Sequence, residues 1–247
     1  MQPLISNEQV IVAGGTGDIG AEIVRELCRS GWGVTFTYHQ NVGGAEKLAR
    51  QTGARAMPHC RFQQCDDWLP SKLGAFVNCI GINPIDKPLL DTPVSAFREV
   101  LEVNLVEAFR LAQAVLPSLA NGRGTIVNVS SIWGVRAIDG IVGYVASKHG
   151  MRGLTASLAR ECGPLGVTCN EVCPGAVDSR LLRECTGRDV GTDFTAIEAA
   201  IRTIESQTPI RRLVTTAEIA AAVEFLCSRS CRGMNGASIV IDGGLCS

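Results

Sequence analysis

Histidine, tyrosine and tryptophan are scarce in this chain of 247 residues, at three, two and three, and aromatic residues make up only 5%. Cys169 and Cys173 share a face of a likely strand, but with histidines only at His39, His59 and His149, none near these two cysteines in sequence, a zinc site is not expected. No apolar run reaches the ~18 residues that span a bilayer, and the amino terminus has no basic stretch leading into an apolar segment and cleavage site. A soluble, cytoplasmic protein is expected. Neither sign of charge dominates, with 23 Lys and Arg against 24 Asp and Glu, a net charge of −1 and a pI near 6.3. The basic residues are scattered, so neither nucleic acid nor an anionic membrane is an expected partner. The eleven cysteines are odd in number and include no CxxC. They read as reduced packing residues.

What is plentiful is core material: 46% of the residues are hydrophobic, enough for one large α/β domain. The stretch from Ile126 to Lys148 carries the chemistry. Ile126, Val127 and Val129 form a β-branched run ending in Ser130 and Ser131, which places a hydroxyl at the carboxyl end of a buried strand. Tyr144 and Lys148 follow at a spacing of i, i+4, on one face of a helix. A nearby ammonium favours the phenolate, so Lys148 is expected to lower the Tyr144 pKa from its usual ~10 and fit it for proton transfer.

Near the start, Val10 to Ala13 reads as a strand that ends in Gly14-Gly15-Thr16-Gly17-Asp18-Ile19-Gly20 and passes into a helix through Arg29. Gly15, Gly17 and Gly20 satisfy GxGxxG, a turn that brings backbone against a pyrophosphate at a helix amino end. Asp18 reads as the amino-terminal cap of that helix. Strand candidates follow at 34–38, 56–62, 76–80, 168–173 and 238–241, with helical stretches at 43–51, 95–119 and 216–228. Only about thirteen residues separate the third and fourth strands, room for two helical turns around Asp66 to Lys72, with Trp68 filling the gap. Seven strands alternating with helices call for a single Rossmann-type, doubly wound parallel sheet covered on both faces, one domain over residues 1–247. Residues 180–207, with two glycines and many charges, break this rhythm and read as an irregular, mobile segment.

These motifs together resemble the short-chain dehydrogenase/reductase family, most closely its 3-oxoacyl-acyl-carrier-protein reductases, over nearly the whole chain. Asn78-Cys79-Ile80-Gly81 is similar to the family's NNAG turn, and Pro174-Gly175-Ala176-Val177-Asp178-Ser179 to its PGxxxT turn around the nicotinamide. The family's TGxxxGxG differs here at Ala13 and Asp18, and Arg61 stands where an aspartate commonly meets the adenine. The resemblance implies Tyr144 as proton donor, Lys148 on the nicotinamide ribose, Ser131 on the carbonyl and Asn104 supporting the proton path. It implies a substrate lid at 180–207 and a homotetramer paired through helices at 95–119 and 144–162, the second bearing small residues at Ala146, Gly150, Gly153 and Ala156. Members that dock acyl carrier protein have arginines before the serine strand and after the tyrosine helix. Here Arg123 holds the first place, Leu165 and Gly166 the second.

The cofactor reading rests on the end of the second strand. Thr37, Tyr38, His39, Gln40 and Asn41 stand there, with no carboxylate before Glu46 to bind a ribose 2′-hydroxyl. Thr37, His39 and Asn41 can donate to a 2′-phosphate, so NADP(H) is preferred and NAD(H) possible. The expected activity is carbonyl reduction of a 3-oxoacyl thioester or related ketone. An NAD-dependent alcohol or polyol dehydrogenase is the alternative, and a nucleotide-sensing Rossmann protein without turnover the rival from another class.

Overall fold

A computed structural model describes residues 8–59, 68–84, 86–190 and 193–246. Seven strands form one parallel sheet in the order β3-β2-β1-β4-β5-β6-β7: β1 (Gln9–Ala13), β2 (Gly33–Tyr38), β3 (Arg55–Pro58), β4 (Ala75–Asn78), β5 (Thr125–Val129), β6 (Thr168–Pro174) and β7 (Ser238–Ile241). Their side chains alternate between two cores, as a sheet buried on both faces requires. Val10 and Val12 face α1 (Asp18–Arg29), α2 (Val42–Thr52) and α8 (Thr216–Cys227). Ile11 and Ala13 face α4 (Glu107–Gly122) and α5 (Val142–Cys162). Trp68 packs against this second core, as its sequence position suggested.

The order of strands reverses between β1 and β4, and the crevice at such a switch point is where sheets of this type bind nucleotides. The glycine turn after β1, the loop after β4 and Ser130-Ser131 after β5 all lie at this carboxyl edge.

Four expectations are corrected. The third strand ends at Pro58, and Cys60, Arg61 and Phe62 lie outside the described residues. Residues 68–72 are turn and bend, without helix, because Pro70 denies a backbone donor in so short a connection. The helix expected over 95–119 is broken into α3 (Val94–Leu101), a π-helical turn (Glu102–Val106) and α4. Residues 180–207 contain two helices, α6 (Arg180–Val190) and α7 (Phe194–Gln207). The charges there build helix: Arg180 pairs with Glu184 one turn on, at 3.4 Å, and Arg183 on α6 pairs with Glu198 on α7.

Candidate active site

β5 carries Ser131 to the carboxyl edge in an extended conformation, φ −167°. Its hydroxyl accepts from the Trp133 N–H at 3.2 Å, and it lines the same cavity as the Tyr144 hydroxyl. Tyr144 stands in the first turn of α5 and Lys148 one turn further, its ammonium 5.5 Å from the centre of the tyrosine ring. Lys148 is buried and donates to the Val129 carbonyl at 3.2 Å. Burial pushes the Tyr144 phenol up to about 12, opposed by the polar influence of the Ser131 hydroxyl, which lowers it. The depression expected from Lys148 is therefore not what this cleft produces: loss of solvent around the phenol outweighs the polar contacts. Lys148 is itself held below its usual range by burial, opposed by Cys79, Cys173 and Glu171.

Asn104 lies at the centre of the π-helical turn and is fully buried. Its carbonyl oxygen accepts from the Ile82 N–H at 2.8 Å, and its amide donates to the Ile82 carbonyl and the Ser147 hydroxyl, both at 3.0 Å. Ser147 in turn donates to the Tyr144 carbonyl at 2.7 Å. These bonds reach other elements, so Asn104 clamps the loop after β4 to the helix that bears Tyr144. Gly81 completes the close approach: a Cβ there would lie 3.4 Å from the Lys148 nitrogen and 3.8 Å from Asn104 Oδ1.

In the glycine turn, Gly14 takes φ +80°, and a Cβ at Gly20 would sit 2.2 Å from the Gly14 carbonyl oxygen, so helix and turn meet only without side chains. A Cβ on Gly15 would strike Phe36, whereas one on Gly17 would meet only the Gly14 carbonyl oxygen, at 3.7 Å. Gly17 is the N-cap of α1 and provides no side-chain acceptor, which leaves the first N–H groups of the helix for an anion. Asp18 is the first residue inside the helix and does not cap it. Its carboxylate instead accepts from the Arg180 N–H at 2.6 Å, at the start of α6.

A cavity of about 790 Å³ opens between this edge and α6 and α7. Tyr144 and Ser131 lie on its floor with Ile19, Pro174, Gly175, Val177 and Ser179, while Ile132, Trp133, Ile138 and Ile141 form one wall and Leu181 and Leu182 another. Asn104 and Lys148 stand behind the floor.

A family model described as enoyl-(acyl carrier protein) reductase matches residues 14–246. The protein MoaE of Klebsiella aerogenes is 34% identical over 244 residues, 95% of this chain and 93% of that one. The chain belongs to the short-chain dehydrogenase/reductase family. The 3-oxoacyl-(acyl-carrier-protein) reductase FabG of Pseudomonas aeruginosa is 29% identical, covering 98% of each chain. The ligand-free aldohexose dehydrogenase of Thermoplasma acidophilum superposes with a TM-score of 0.89 at 27% identity, covering 98% of this chain and 95% of that one. Like its relatives, this member of the family is an NAD(P)-dependent oxidoreductase.

The remaining sequence candidates of this dehydrogenase/reductase divide into those at the crevice and those spent on the fold. Asn78 is buried, its side chain accepting from Ile80 N at 3.2 Å, and it shapes the loop after β4. Ser179 accepts from Leu182 N at 3.3 Å and starts α6, while Gly175 packs so closely on Asp242 that a Cβ would lie 2.7 Å from its Cα. Thr37 is fully buried, its hydroxyl accepting from Gly14 N at 3.2 Å and meeting His59 at 3.2 Å. Asn41 caps α2 through Gly44 N. The Thr37 hydroxyl is thus turned to the glycine turn and Asn41 Oδ1 to α2, whereas half-buried Tyr38 and exposed His39 stand at the strand end. Sequence reasoning missed Asn83, Asp86, Cys185 and Arg188, which join α6 to the loop after β4. Arg188 pairs with Asp86 at 2.5 Å and donates to the Asn83 carbonyl at 2.6 Å and to Cys185 Sγ at 2.9 Å. Their spacing in sequence gave no sign of this contact. Among the described residues no three His, Cys, Asp or Glu side chains gather as a metal site, and no helix is long and apolar enough to cross a membrane.

Proposed function

We propose that this chain is a cytoplasmic, NADP(H)-preferring carbonyl reductase acting on a 3-oxoacyl thioester or related ketone. The observation that carries the reading is a phenol and the Ser131 hydroxyl together on the floor of a cavity walled by Ile132, Trp133, Ile138, Leu181 and Leu182. An apolar acyl chain matches those walls, and the family likeness to FabG points the same way.

The bare amino end of α1, with the glycines that let the turn close on it, fits a dinucleotide pyrophosphate. When bound there, a nicotinamide would supply the hydride chemistry. Ser131 donates to the carbonyl oxygen and polarises it. Tyr144 transfers its proton to that oxygen as it becomes an alkoxide, giving the secondary alcohol. Lys148 holds the nicotinamide ribose and steadies the phenolate left on Tyr144, and Asn104 keeps the helix of both residues in register with the loop after β4 while supporting the return of a proton. Electrostatic stabilisation of the alkoxide is the largest contribution, so Ser131 and Tyr144 matter most.

For the cofactor, the absence of a carboxylate between Thr37 and Glu46 supports NADP(H). With the Thr37 hydroxyl taken up by Gly14 and His59, the preference rests on Tyr38, His39 and the Asn41 amide and is a few-fold one. Acyl carrier protein is the proposed donor of the thioester. Arg123 is exposed and lies over Gly166, so the two places where such members have arginines adjoin here, with one filled. The proposed assembly is a homotetramer. Gly153 and Ala156 are exposed on α5 for a partner helix, whereas Gly150 is taken up by Leu105 of the same chain.

Oxidation of a sugar or polyol with NAD is the second reading, favoured by the likeness to aldohexose dehydrogenase and by Asp86 and Asp139 at the cavity. Both readings are tested by following nicotinamide absorbance with 3-oxoacyl thioesters, small ketones and polyols, using each cofactor. Highest kcat/KM for a 3-oxoacyl thioester with NADPH is expected. A clear preference for NADH, or turnover of polyols alone, refutes the first reading.

A further inference from the structure

At the glycine turn, Asp18 puts a carboxylate where the family usually has glycine, on the first turn of the helix that receives the cofactor phosphates. A carboxylate at that place is a like charge to a pyrophosphate, and it needs a use. Its Oδ2 accepts from the Arg180 N–H at 2.6 Å, while Ser179 accepts from Leu182 N at 3.3 Å. The first turn of α6 thus gets two acceptors, one from the chain just before it and one from a residue 162 positions away. Two acceptors on the orphan donors of a helix start are what fix where that helix begins and how it is aimed.

The other end of α6 is tied by different chemistry. Arg188 reaches Asp86 and the Asn83 carbonyl, and the Asn83 amide donates to the second Asp86 oxygen at 3.0 Å, orienting it. Between the ties lie Leu181 and Leu182 on the cavity wall, and Ile19, beside Asp18, lines the same cavity. One tie runs to the cofactor turn and the other to the loop after β4.

We propose that Asp18 is a positioning residue that couples the substrate cover to the cofactor turn: its acceptor oxygen holds the start of α6, and its charge sets how readily the turn takes a pyrophosphate. This rests on the proposed reading of the glycine turn and of α6 and α7 as the cover. The acceptor and the charge are separable. Asp18→Asn keeps an oxygen for the Arg180 N–H and removes the charge, while Asp18→Ala removes both.

The test uses the full-length protein and needs no turnover. Trypsin cleavage after Arg180, Arg183 and Arg188 is mapped by mass spectrometry, and NADPH affinity is read by its fluorescence. Asp18→Ala should be cut within α6 roughly 2- to 30-fold faster than the parent, the population change that follows loss of a helix cap. Asp18→Asn should be cut at the parent rate. Both should bind NADPH roughly two- to fivefold more tightly, the size of one screened like-charge contact, and the gain should shrink with added salt. Asp86→Asn serves as a control that loosens the Arg188 end with NADPH affinity unchanged. An Asp18→Ala cover as resistant as the parent's, or NADPH affinity unmoved by Asp18→Asn, overturns the inference. A protein that binds neither nicotinamide cofactor overturns the proposed function instead, so the two failures are read apart.

Discussion

Tyr144 and Lys148 stand on a helix packed along β5 and β6 and clamped by Asn104, whereas α6 meets the body of the molecule through Asp18 at one end and Arg188 at the other. The first arrangement is set into the fold, with Lys148 and Asn104 buried and Asn104 bonded to both Ile82 and Ser147. The second is polar and at the rim, held by one acceptor at Asp18 and by the contacts of a single side chain at Arg188. A reaction that needs a fixed proton donor and an admitted substrate asks for both: a floor that does not move, and a wall whose ties cost little to break.

The sharpest way to break the comparison is to remove the donor and leave the floor. Tyr144→Phe is expected to lower turnover by at least ~10²-fold with NADPH affinity nearly unchanged, measured by steady-state kinetics beside fluorescence titration. Retained turnover would sink the mechanism. Asn104→Leu attacks the floor itself, stranding the Ile82 backbone groups and Ser147 in a buried place. A loss of about 1–3 kcal/mol for each stranded group should show as a lowered urea midpoint together with reduced kcat.

A pH series sharpens the contrast further. Burial raises the Tyr144 phenol from 10.0 to about 12, so the folded protein keeps this proton where the unfolded chain has lost it. Stability from this group is full below pH 10 and is lost as pH rises toward about 12. Thermal melts over that window should fall more steeply for the parent than for Tyr144→Phe, and parallel curves would show that the phenol is not held this way. The smallest effect is expected at the rim. Arg188→Ala should raise KM for long acyl substrates a few-fold and change kcat little, since a partly exposed ion pair contributes only about 0–1 kcal/mol. An equal loss in kcat would place Arg188 on the floor's side of the comparison.

How far the sequence could be read follows the same division. Strand periodicity, the glycine turn and the Ser131, Tyr144 and Lys148 spacing are local or periodic signals, and the fold brings those residues together as their pattern implied. The π-helical turn was not visible, because Asn104 looks like any polar residue on a helical face until Ile82 and Ser147 are brought against it. Thr37 looked available for a phosphate and is instead consumed by Gly14, a partner 23 positions away. The charges of 180–207 suggested irregularity when read for apolar period alone; read as i, i+4 pairs they support α6. Asp18 was expected to act on its own helix, and only the packing of α6 shows which helix it serves.

The strand order has a consequence for how the chain comes to be folded. β1 is made first and ends in the middle of the sheet, between β2 and β4. The segment through Pro58 can assemble β3-β2-β1 while the rest is still being made, but it presents an open edge of β1 until Ala75–Asn78 arrives. Every pairing is parallel and crosses a connection, so closure is slow by its topology. Substitutions in β4 should therefore reduce the yield of soluble protein out of proportion to their effect on the finished enzyme, since they lengthen the time that one edge of β1 stays unpaired.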